Sequence, residues 1–278
     1  MPRIDAHHHV WDLGVRDQPW IAGPSMAAIR RDFTVEDLRP AARAAGVSGT
    51  VVVQTASVEK ETLELLELAH REDLVAGVVG WADLTAPGVA GTLAELRAAR
   101  GGEHLAGLRH PVHTEADPLW LVRPGVRRGL TAVRDAGLAF DLLIRPNHLS
   151  AAVRAARAVP GLRLVLDHLA APRPADGGFG TWAVDIRALA AEPGTFCKLS
   201  GMLTAAPPEA WTPYAEVVLE AFGPRRVMFG SDWPVCLLAA SYAEVVAAAE
   251  GLTGGLPDED REAVFGGTAA RAYHLAPP

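Results

Sequence analysis

The segment Arg3–His9, which reads RIDAHHH, is the first of a series of short β-type runs. The residues at its end distinguish between two folds that are built on a parallel sheet. Helix-like stretches follow the runs, and eight strand–helix alternations cover the chain. Such alternation predicts a parallel sheet with helical crossovers. An open doubly wound sheet usually has a glycine-rich phosphate turn after its first strand, whereas this one ends in histidines. The sequence therefore predicts an α/β fold, a (β/α)8 (TIM) barrel in a single domain over residues 1–278.

The predicted strands are mostly apolar and end on a polar or aromatic residue, as strands buried on both faces do when their tips line a site. They are Arg3–His9, Thr50–Gln54, Val75–Trp81, Gly107–His110, Ala139–Ile144, Arg163–His168, Thr195–Ser200 and Arg226–Trp233. Among the helix signals, Thr34 is expected to cap the first helix, and Asp117 followed by Pro118 to begin a later one. Two long segments after strand tips, Val10–Phe33 and Ala170–Thr181, are candidate walls or lids of a site.

Composition excludes several classes of protein. The chain has 278 residues, of which 49% are hydrophobic, so it can bury a core and is not disordered overall. No apolar run approaches the roughly 20 residues of a membrane-spanning helix, and the N-terminus has no signal-peptide core. The two cysteines indicate a reducing cytoplasm, and the net charge of −7 without a basic stripe argues against nucleic acid or membrane partners. We expect a cytoplasmic protein that acts on a small molecule; the sequence leaves open whether it is a homo-oligomer.

The first strand carries a candidate metal site. Side chains alternate along a strand, so His7 and His9 are expected on one face and His8 on the other. Two imidazoles on one face can bind a divalent metal or a polarised oxygen at the C-terminal end of a barrel, where active sites lie. The alternative is a solvated, tag-like histidine run, which the apolar pair Val10 and Trp11 disfavours.

Other strand ends also carry ionisable groups. Asp232 closes the apolar stretch Met228–Trp233, where a buried carboxylate needs a partner, although it could instead cap the following turn. His168 ends its strand in the same way, and the alternative for it is a structural histidine. Lys198 is one of only two lysines among the 26 basic residues, and it lies inside a core strand. Its ammonium needs a polar partner there, unless the side chain snorkels, that is, extends along apolar surface to reach solvent. Arg109 is either an oxyanion clamp or a plain salt bridge.

Two segments together carry a family resemblance. Ile4–Asp12 (IDAHHHVWD) and Phe229–Pro234 (FGSDWP) resemble the amidohydrolase superfamily, and more narrowly its lactonase branch, which includes L-fucono- and L-rhamnonolactone hydrolases and 2-pyrone-4,6-dicarboxylate lactonase. Supporting matches are Gly107–His110 (GLRH), Leu166–His168 (LDH), Lys198–Gly201 (KLSG) and Phe265–Tyr273 (FGGTAARAY). The resemblance covers nearly the whole chain.

The departures from the superfamily pattern narrow the chemistry that the resemblance implies. Two-metal members bridge their ions with a carboxylated lysine, commonly on strand 4, where this chain has Arg109 and its neighbours. One-metal members usually take a histidine from the end of strand 5, but here His148 comes four residues after Ile144. The resemblance therefore implies at most one divalent metal, a zinc bound by His7, His9 and Asp232, and does not make that metal essential.

Hydrolysis of a sugar lactone needs an activated water, a stabilised oxyanion and a protonated leaving group. We expect Asp232 to activate the water and His168, Lys198 and Arg109 to act with it as catalytic residues. The substrate-binding residues are expected to be Gln54, Trp81, His113, Asn147 and Trp233. A neutral sugar lactone is favoured, because only Arg109 and Arg145 are arginines near this end of the predicted barrel.

Two other functions stay open at this point. A mononuclear-metal decarboxylase or amidohydrolase of the same superfamily needs a tightly bound Zn²⁺ or Mn²⁺ and a convincing ligand from strand 5. A non-catalytic ligand-binding barrel predicts no cluster of ionisable groups at the strand ends.

Overall fold

Eight parallel strands form the centre of the molecule in the computed structural model, which describes residues 2–276. They are β1 Arg3–His8, β2 Val47–Val53, β3 Val75–Gly80, β4 Leu105–His110, β5 Ala139–Leu142, β6 Arg163–Leu166, β7 Thr195–Leu199 and β8 Val227–Phe229. Each pairs with the next in chain order. Hydrogen bonds from the Asp232 N–H to the His7 carbonyl (2.8 Å) and from the His9 N–H to the Trp233 carbonyl (2.7 Å) join the chain after β8 to the end of β1. The predicted (β/α)8 barrel is confirmed.

Ten α-helices accompany the strands in the described residues. They are α1 Val35–Ala44, α2 Glu59–Arg71, α3 Val89–Ala98, α4 Pro124–Asp135, α5 Leu149–Ala158, α6 Phe179–Ala190, α7 Thr212–Phe222, α8 Tyr242–Leu252, α9 Asp258–Glu262 and α10 Thr268–Tyr273. None of the helices within residues 2–276 has the length and apolarity needed to cross a membrane.

The helix signals were correct at one site and wrong at another. Thr34 caps α1 in a capping box, since its side chain accepts the Asp37 N–H while the Asp37 carboxylate accepts the Thr34 N–H. Asp117 does not begin a helix: α4 starts at Pro124. The Asp117 carboxylate accepts the Leu119 N–H (2.8 Å) and pairs with the Arg123 guanidinium (2.7 Å), so it closes a turn before the helix.

The barrel interior is apolar near its N-terminal end, which we call the floor. Inward residues of the strands, Val51, Val79 and Met228 among them, pack against one another and against Ala269 and Ala272 of α10. The helix α10 therefore covers the floor. The opposite end, which we call the mouth, is where the strand-end residues named above are found.

A bulge in β1 turns His7 into the barrel. Asp5 pairs with Thr50 and His8 pairs with Val52, so an advance of three residues along β1 is matched by an advance of only two along β2. Asp5 and His8 consequently face outward, while His7 faces the interior. Gly230 gives His7 its space, because a Cβ there would lie 2.7 Å from the Cβ of His7.

Candidate active site

Two histidines and a carboxylate converge at the mouth. The Nε2 atoms of His7 and His9 lie 3.2 Å apart, and Asp232 Oδ1 lies 3.7 Å from the first and 3.6 Å from the second. His9 Nδ1 is 2.7 Å from the Val53 carbonyl, a contact in which Nδ1 is the donor and Nε2 keeps its lone pair. The predicted grouping of His7, His9 and Asp232 is therefore present in the structure.

This grouping fits one divalent metal. With Zn–N and Zn–O distances of about 2.0–2.2 Å, ligand atoms around a tetrahedral zinc lie about 3.3–3.5 Å apart, close to the separations here. A histidine that ligates through Nε2 normally donates its Nδ1–H to an oxygen. For His7 that oxygen is available: Asp167 Oδ1, 3.4 Å from His7 Nδ1, accepts no well-aligned hydrogen bond from the described residues. Three protein ligands leave the fourth position for water or substrate, as in catalytic zinc sites.

Asp232 stays ionised despite its burial. Its φ of 57° lies in the left-handed region, which ends the extended chain after β8 and turns the carboxylate toward the histidines. Burial alone would raise its pKa, but His168, His9 and Arg109 outweigh burial and hold the pKa below the usual value. The side chain is 8% exposed, so an ionised carboxylate reaches the mouth.

His168 lies beside this carboxylate. It begins a run of left-handed residues, His168–Ala171, that breaks away from β6. Its Nδ1 is hydrogen-bonded to the Ser200 hydroxyl (2.8 Å), and its Nε2 is 3.9 Å from Asp232 Oδ1. Burial lowers the pKa of His168, so the imidazole is neutral at neutral pH.

A charged layer lies directly beneath the mouth. The Lys198 ammonium is fully buried, 2.5 Å from Asp141 Oδ2, 3.0 Å from Asp167 Oδ1 and 3.0 Å from His7 Nδ1. Lys198 therefore has the polar partners that its place in a core strand required. The ammonium donates to Asp141 and is hydrogen-bonded to His7 Nδ1, and it pairs with the charge of Asp167, which favours a supporting role over direct contact with substrate.

Arg109 is held in the same layer. Its Nη1 lies 3.2 Å from Asp167 Oδ2 and 3.3 Å from His7 Nε2, and its Nη2 donates to the backbone carbonyl (2.5 Å) and side-chain oxygen (3.0 Å) of Gln54. Gln54 thus orients the arginine. Both side chains are buried at the edge of the mouth.

The remaining predicted binding residues lie around the rim or behind it. Half-buried Trp81 donates its indole N–H to His110 (3.1 Å), and Nδ1 of His113 lies 3.4 Å from the Leu143 carbonyl. Asn147 is exposed and lines a cavity of about 550 Å³ beside the mouth. Trp233 is buried and packs edge-on against Phe33, under the long segment after β1. Direct contact of these four residues with substrate stays a prediction.

Two residues of the charged layer escaped the sequence analysis. Asp141 interrupts the apolar run Ala139–Ile144, the same signal that drew attention to Lys198, and could have been paired with that lysine. Tyr273 donates its hydroxyl to Asp141 at 2.8 Å. No sequence signal marks Tyr273, because its place depends on how α10 docks on the floor.

The mouth combines a His-x-His pair at the end of β1 with an aspartate after β8, and comparison with known proteins identifies the family that has this barrel. A family model described as amidohydrolase matches residues 4–275, and the chain belongs to this family. The resemblance seen in the sequence is confirmed.

Individual relatives extend this comparison. The chain is 38% identical to the L-fucono-1,5-lactonase of Burkholderia ambifaria, over 99% of this chain and 97% of that protein. A protein of the same name from Burkholderia multivorans is also 38% identical over the same shares. The crystal structure of an amidohydrolase from Burkholderia multivorans with bound zinc superposes with a TM-score of 0.93 at 37% identity, covering 99% of this chain and all of that one.

Proposed function

We propose that this protein hydrolyses a neutral sugar-acid lactone of the L-fucono-1,5-lactone type, with Asp232 activating the water. The observation that carries the proposal is an ionised, nearly buried carboxylate facing the neutral imidazole of His168 at the mouth. The lactonases at 38% identity over the full length support the substrate class. The partner is then a small molecule, in keeping with the acidic net charge of −7.

The residues can perform each step of lactone opening. Asp232 takes a proton from water as the water oxygen bonds to the ring carbonyl carbon. With the Ser200 hydroxyl donating to its Nδ1, neutral His168 carries its proton on Nε2 and donates it in a hydrogen bond to the carbonyl oxygen. As the carbon–oxygen bond of the ring breaks, protonated Asp232 returns the proton to the departing oxygen. One well-placed oxyanion donor is worth about 3–4 kcal/mol at the transition state.

A metal would add to this chemistry without replacing it. His7, His9 and Asp232 would hold the ion, which when bound supplies Lewis acidity for the carbonyl oxygen. We propose that the metal is not essential, because Lys198 and Arg109 already place positive charge beneath the mouth. Both charges lower the pKa of Asp167, and Arg109 contributes with His168 and His9 to the low pKa of Asp232.

The substrate is proposed to lie between the mouth and its rim. The face of Trp81 would take the apolar side of a sugar ring, while His113 and Asn147 would meet its hydroxyl groups. Arg109 is committed to Asp167 and Gln54 and so offers little to a substrate carboxylate. This arrangement favours a neutral lactone over a dicarboxylate.

The decarboxylase alternative finds no support in β5. The inward polar side chain of β5 is Asp141, which is paired with Lys198 beneath the mouth. His148 lies beyond the strand, and its Nδ1 accepts the Arg145 N–H (3.3 Å). Neither residue belongs to the His7, His9 and Asp232 grouping.

The proposal is tested by offering purified protein a panel of aldonolactones and following proton release with a pH indicator. L-Fucono-1,5-lactone and related neutral lactones should be hydrolysed well above the rate with Asp232→Asn, which serves as the background for spontaneous opening. 2-Pyrone-4,6-dicarboxylate should react far more slowly. Faster turnover of the dicarboxylate, or no lactone above background, contradicts the proposal.

A further inference from the structure

One peptide group just after β2 is held from both sides by charged side chains. The carbonyl of Gln54 accepts a hydrogen bond from Arg109 Nη2 at 2.5 Å. The N–H of Thr55, which belongs to the same peptide group, donates to Glu61 Oε2 at 3.0 Å. Because a peptide group is planar and trans, its C=O and N–H point in opposite directions and turn together. The position of the Glu61 carboxylate therefore limits the direction of the carbonyl that Arg109 contacts.

Glu61 is a buried carboxylate without a cation beside it. It lies in the first turn of α2 and forms no ion pair with any residue that the structure describes. Its oxygens instead accept the Thr55 N–H, the Ala56 N–H (2.7 Å) and the Thr55 hydroxyl (2.5 Å). A buried charge is costly unless it is hydrogen-bonded and paired. Hydrogen bonds link Glu61 to the guanidinium of Arg109 through the peptide group between them.

The Thr55 hydroxyl connects the same carboxylate to the long segment Val10–Phe33. It donates to Glu61, because a carboxylate can only accept, and it accepts a hydrogen bond from Gln18 Nε2 at 2.7 Å. Gln18 Oε1 in turn accepts the indole N–H of Trp20 at 2.8 Å. This second branch does not include the peptide group, so the two branches can be separated by mutation.

We propose that Glu61 is a positioning residue that acts through the peptide group between Gln54 and Thr55 to hold Arg109 at the edge of the mouth. Nη2 of Arg109 is hydrogen-bonded only to Gln54 within residues 2–276, and Nε has no partner there. Without the Glu61 carboxylate, the peptide group is held from one side only, and its carbonyl can turn away from Nη2. Only the kinetic consequence of this inference rests on the proposed function.

The first test compares Glu61→Gln with the wild-type protein and needs no substrate. The variant keeps the size of the side chain and replaces one acceptor oxygen with an NH2 group. ¹H–¹⁵N spectra of the arginine side chains measure how fast the Nη1 and Nη2 signals of Arg109 exchange by rotation, and these signals are assigned by their absence from Arg109→Lys. We expect the exchange to be at least about tenfold faster in Glu61→Gln, the factor that corresponds to one hydrogen bond to a charged group. If Glu61→Gln does not fold, Glu61→Asp, which withdraws the carboxylate by one methylene, should show the same acceleration.

The second test is kinetic. On L-fucono-1,5-lactone, Glu61→Gln should lower kcat by about tenfold, because a small displacement of a catalytic group lowers the rate steeply. In the Arg109→Lys background the same change should lower kcat further by less than about twofold, since Glu61 acts through Arg109. A purely structural role would lower kcat by the same factor in both backgrounds.

Two variants are matched controls. Thr55→Val removes the hydroxyl and keeps the backbone N–H, so it breaks the link to Gln18 and leaves the peptide group bound to Glu61. Glu64 lies further along α2 and pairs with Arg16 of the long segment at 2.9 Å, so Glu64→Gln breaks an exposed contact between the same two elements. Both variants should leave the guanidinium exchange rate as in the wild type.

Two results overturn the inference. One is a Glu61→Gln protein whose Tm falls while the exchange rate at Arg109 stays as in the wild type, which would make Glu61 a purely structural residue. The other is an equal acceleration in Thr55→Val, which would mean that the loop as a whole, rather than the peptide group, holds Arg109. If no lactone is hydrolysed, the spectra still decide the question.

Discussion

The outer face of β1 and the strand ends that line the barrel interior, which we call the inner face, both bury aspartates, but the charges of these aspartates differ. On the outer face, Asp5 accepts hydrogen bonds from neutral donors, the Ser231 N–H at 2.8 Å and the Tyr242 hydroxyl at 3.2 Å, and burial raises its pKa to about 6. His8 is hydrogen-bonded to the Thr50 hydroxyl, and burial lowers its pKa to about 3. Both groups are pushed toward their neutral forms.

On the inner face Asp167 and Asp232 keep their charges, whereas burial raises the pKa of the deeper Asp141 to about 6 and lowers the pKa values of His7 and His168. Burial would raise the pKa of Asp167, but Lys198 and His7 outweigh it, and the pKa lies well below the usual value. Asp232 is kept ionised by its neighbours in the same way. Burial pushes an ionisable group toward its neutral form, and nearby opposite charge or hydrogen bonds to the charged form oppose this shift. The difference between the faces teaches that the chemistry belongs to the inner face, where groups were buried together with their counter-charges.

The largest expected difference between the two faces is the loss of kcat when an aspartate of each face is replaced. We expect Asp232→Asn to keep the fold and lose about 10³-fold in kcat, because the general base is gone while the shape is retained. Asp5→Asn keeps an oxygen for the Ser231 N–H and should stay within about tenfold of wild-type kcat, since it loses hydrogen bonding rather than a base. Lactone assays with thermal unfolding curves for both variants measure this difference. Near-normal turnover by Asp232→Asn would show that another group, such as His168, activates water.

Much of this comparison was accessible from sequence. The apolar runs located all eight strands, and alternation placed His7 and His9 on one face and His8 on the other. The polar residue that ended each run pointed to the mouth. These features depend only on residues that are near one another in the chain, so they can be predicted without knowledge of the fold.

What could not be predicted depends on the assembled barrel. Simple alternation puts Asp5 on the face of His7, and only the bulge, defined by pairing with β2, moves it to the outer face. The contact of Tyr273 with Asp141 requires the position of α10 on the floor. Asp141 is an intermediate case, since a lone aspartate in an apolar strand implied a cation but not which one.

The outer face can be tested alone through His8. The unfolded chain binds a proton on this histidine near pH 6.5, whereas the folded protein does so only near pH 3. The free energy of unfolding therefore falls as pH falls between these values, and His8 accounts for about 2 kcal/mol of the loss from pH 7 to pH 5. His8→Gln, which retains an N–H for Thr50, should lose about 2 kcal/mol less over that interval in urea unfolding.

Thr50→Val provides the control for His8. It removes the hydrogen bond and keeps the titrating ring, so it should be less stable at both pH values and lose as much as the wild type between them. A His8→Gln protein with the wild-type pH dependence would mean that His8 is not held neutral by burial.

The smallest expected effect on activity is that of metal removal. It tests whether the charged side chains of the inner face can support lactone hydrolysis without a metal ion. The three carboxylates Asp141, Asp167 and Asp232 face the two cations Lys198 and Arg109 across the barrel. This balance favours cation binding, so the purified protein can carry zinc on His7, His9 and Asp232. It also keeps Asp232 ionised with no ion present. We expect dialysis against chelator to leave a substantial fraction of the lactonase rate, a loss smaller than about tenfold.

A ligand variant separates this expectation from incomplete metal removal. His9→Gln deletes one of the three ligands, and its zinc content after purification, measured by mass spectrometry of the metal, should fall with the rate still within about tenfold of wild type. The same assay on His168→Gln should show a larger loss, because that variant removes the proposed donor to the carbonyl oxygen. If chelator abolishes activity and Zn²⁺ restores it, the ion is part of the catalytic machinery. The fixed charges of the inner face would then serve to hold the ion rather than to replace it.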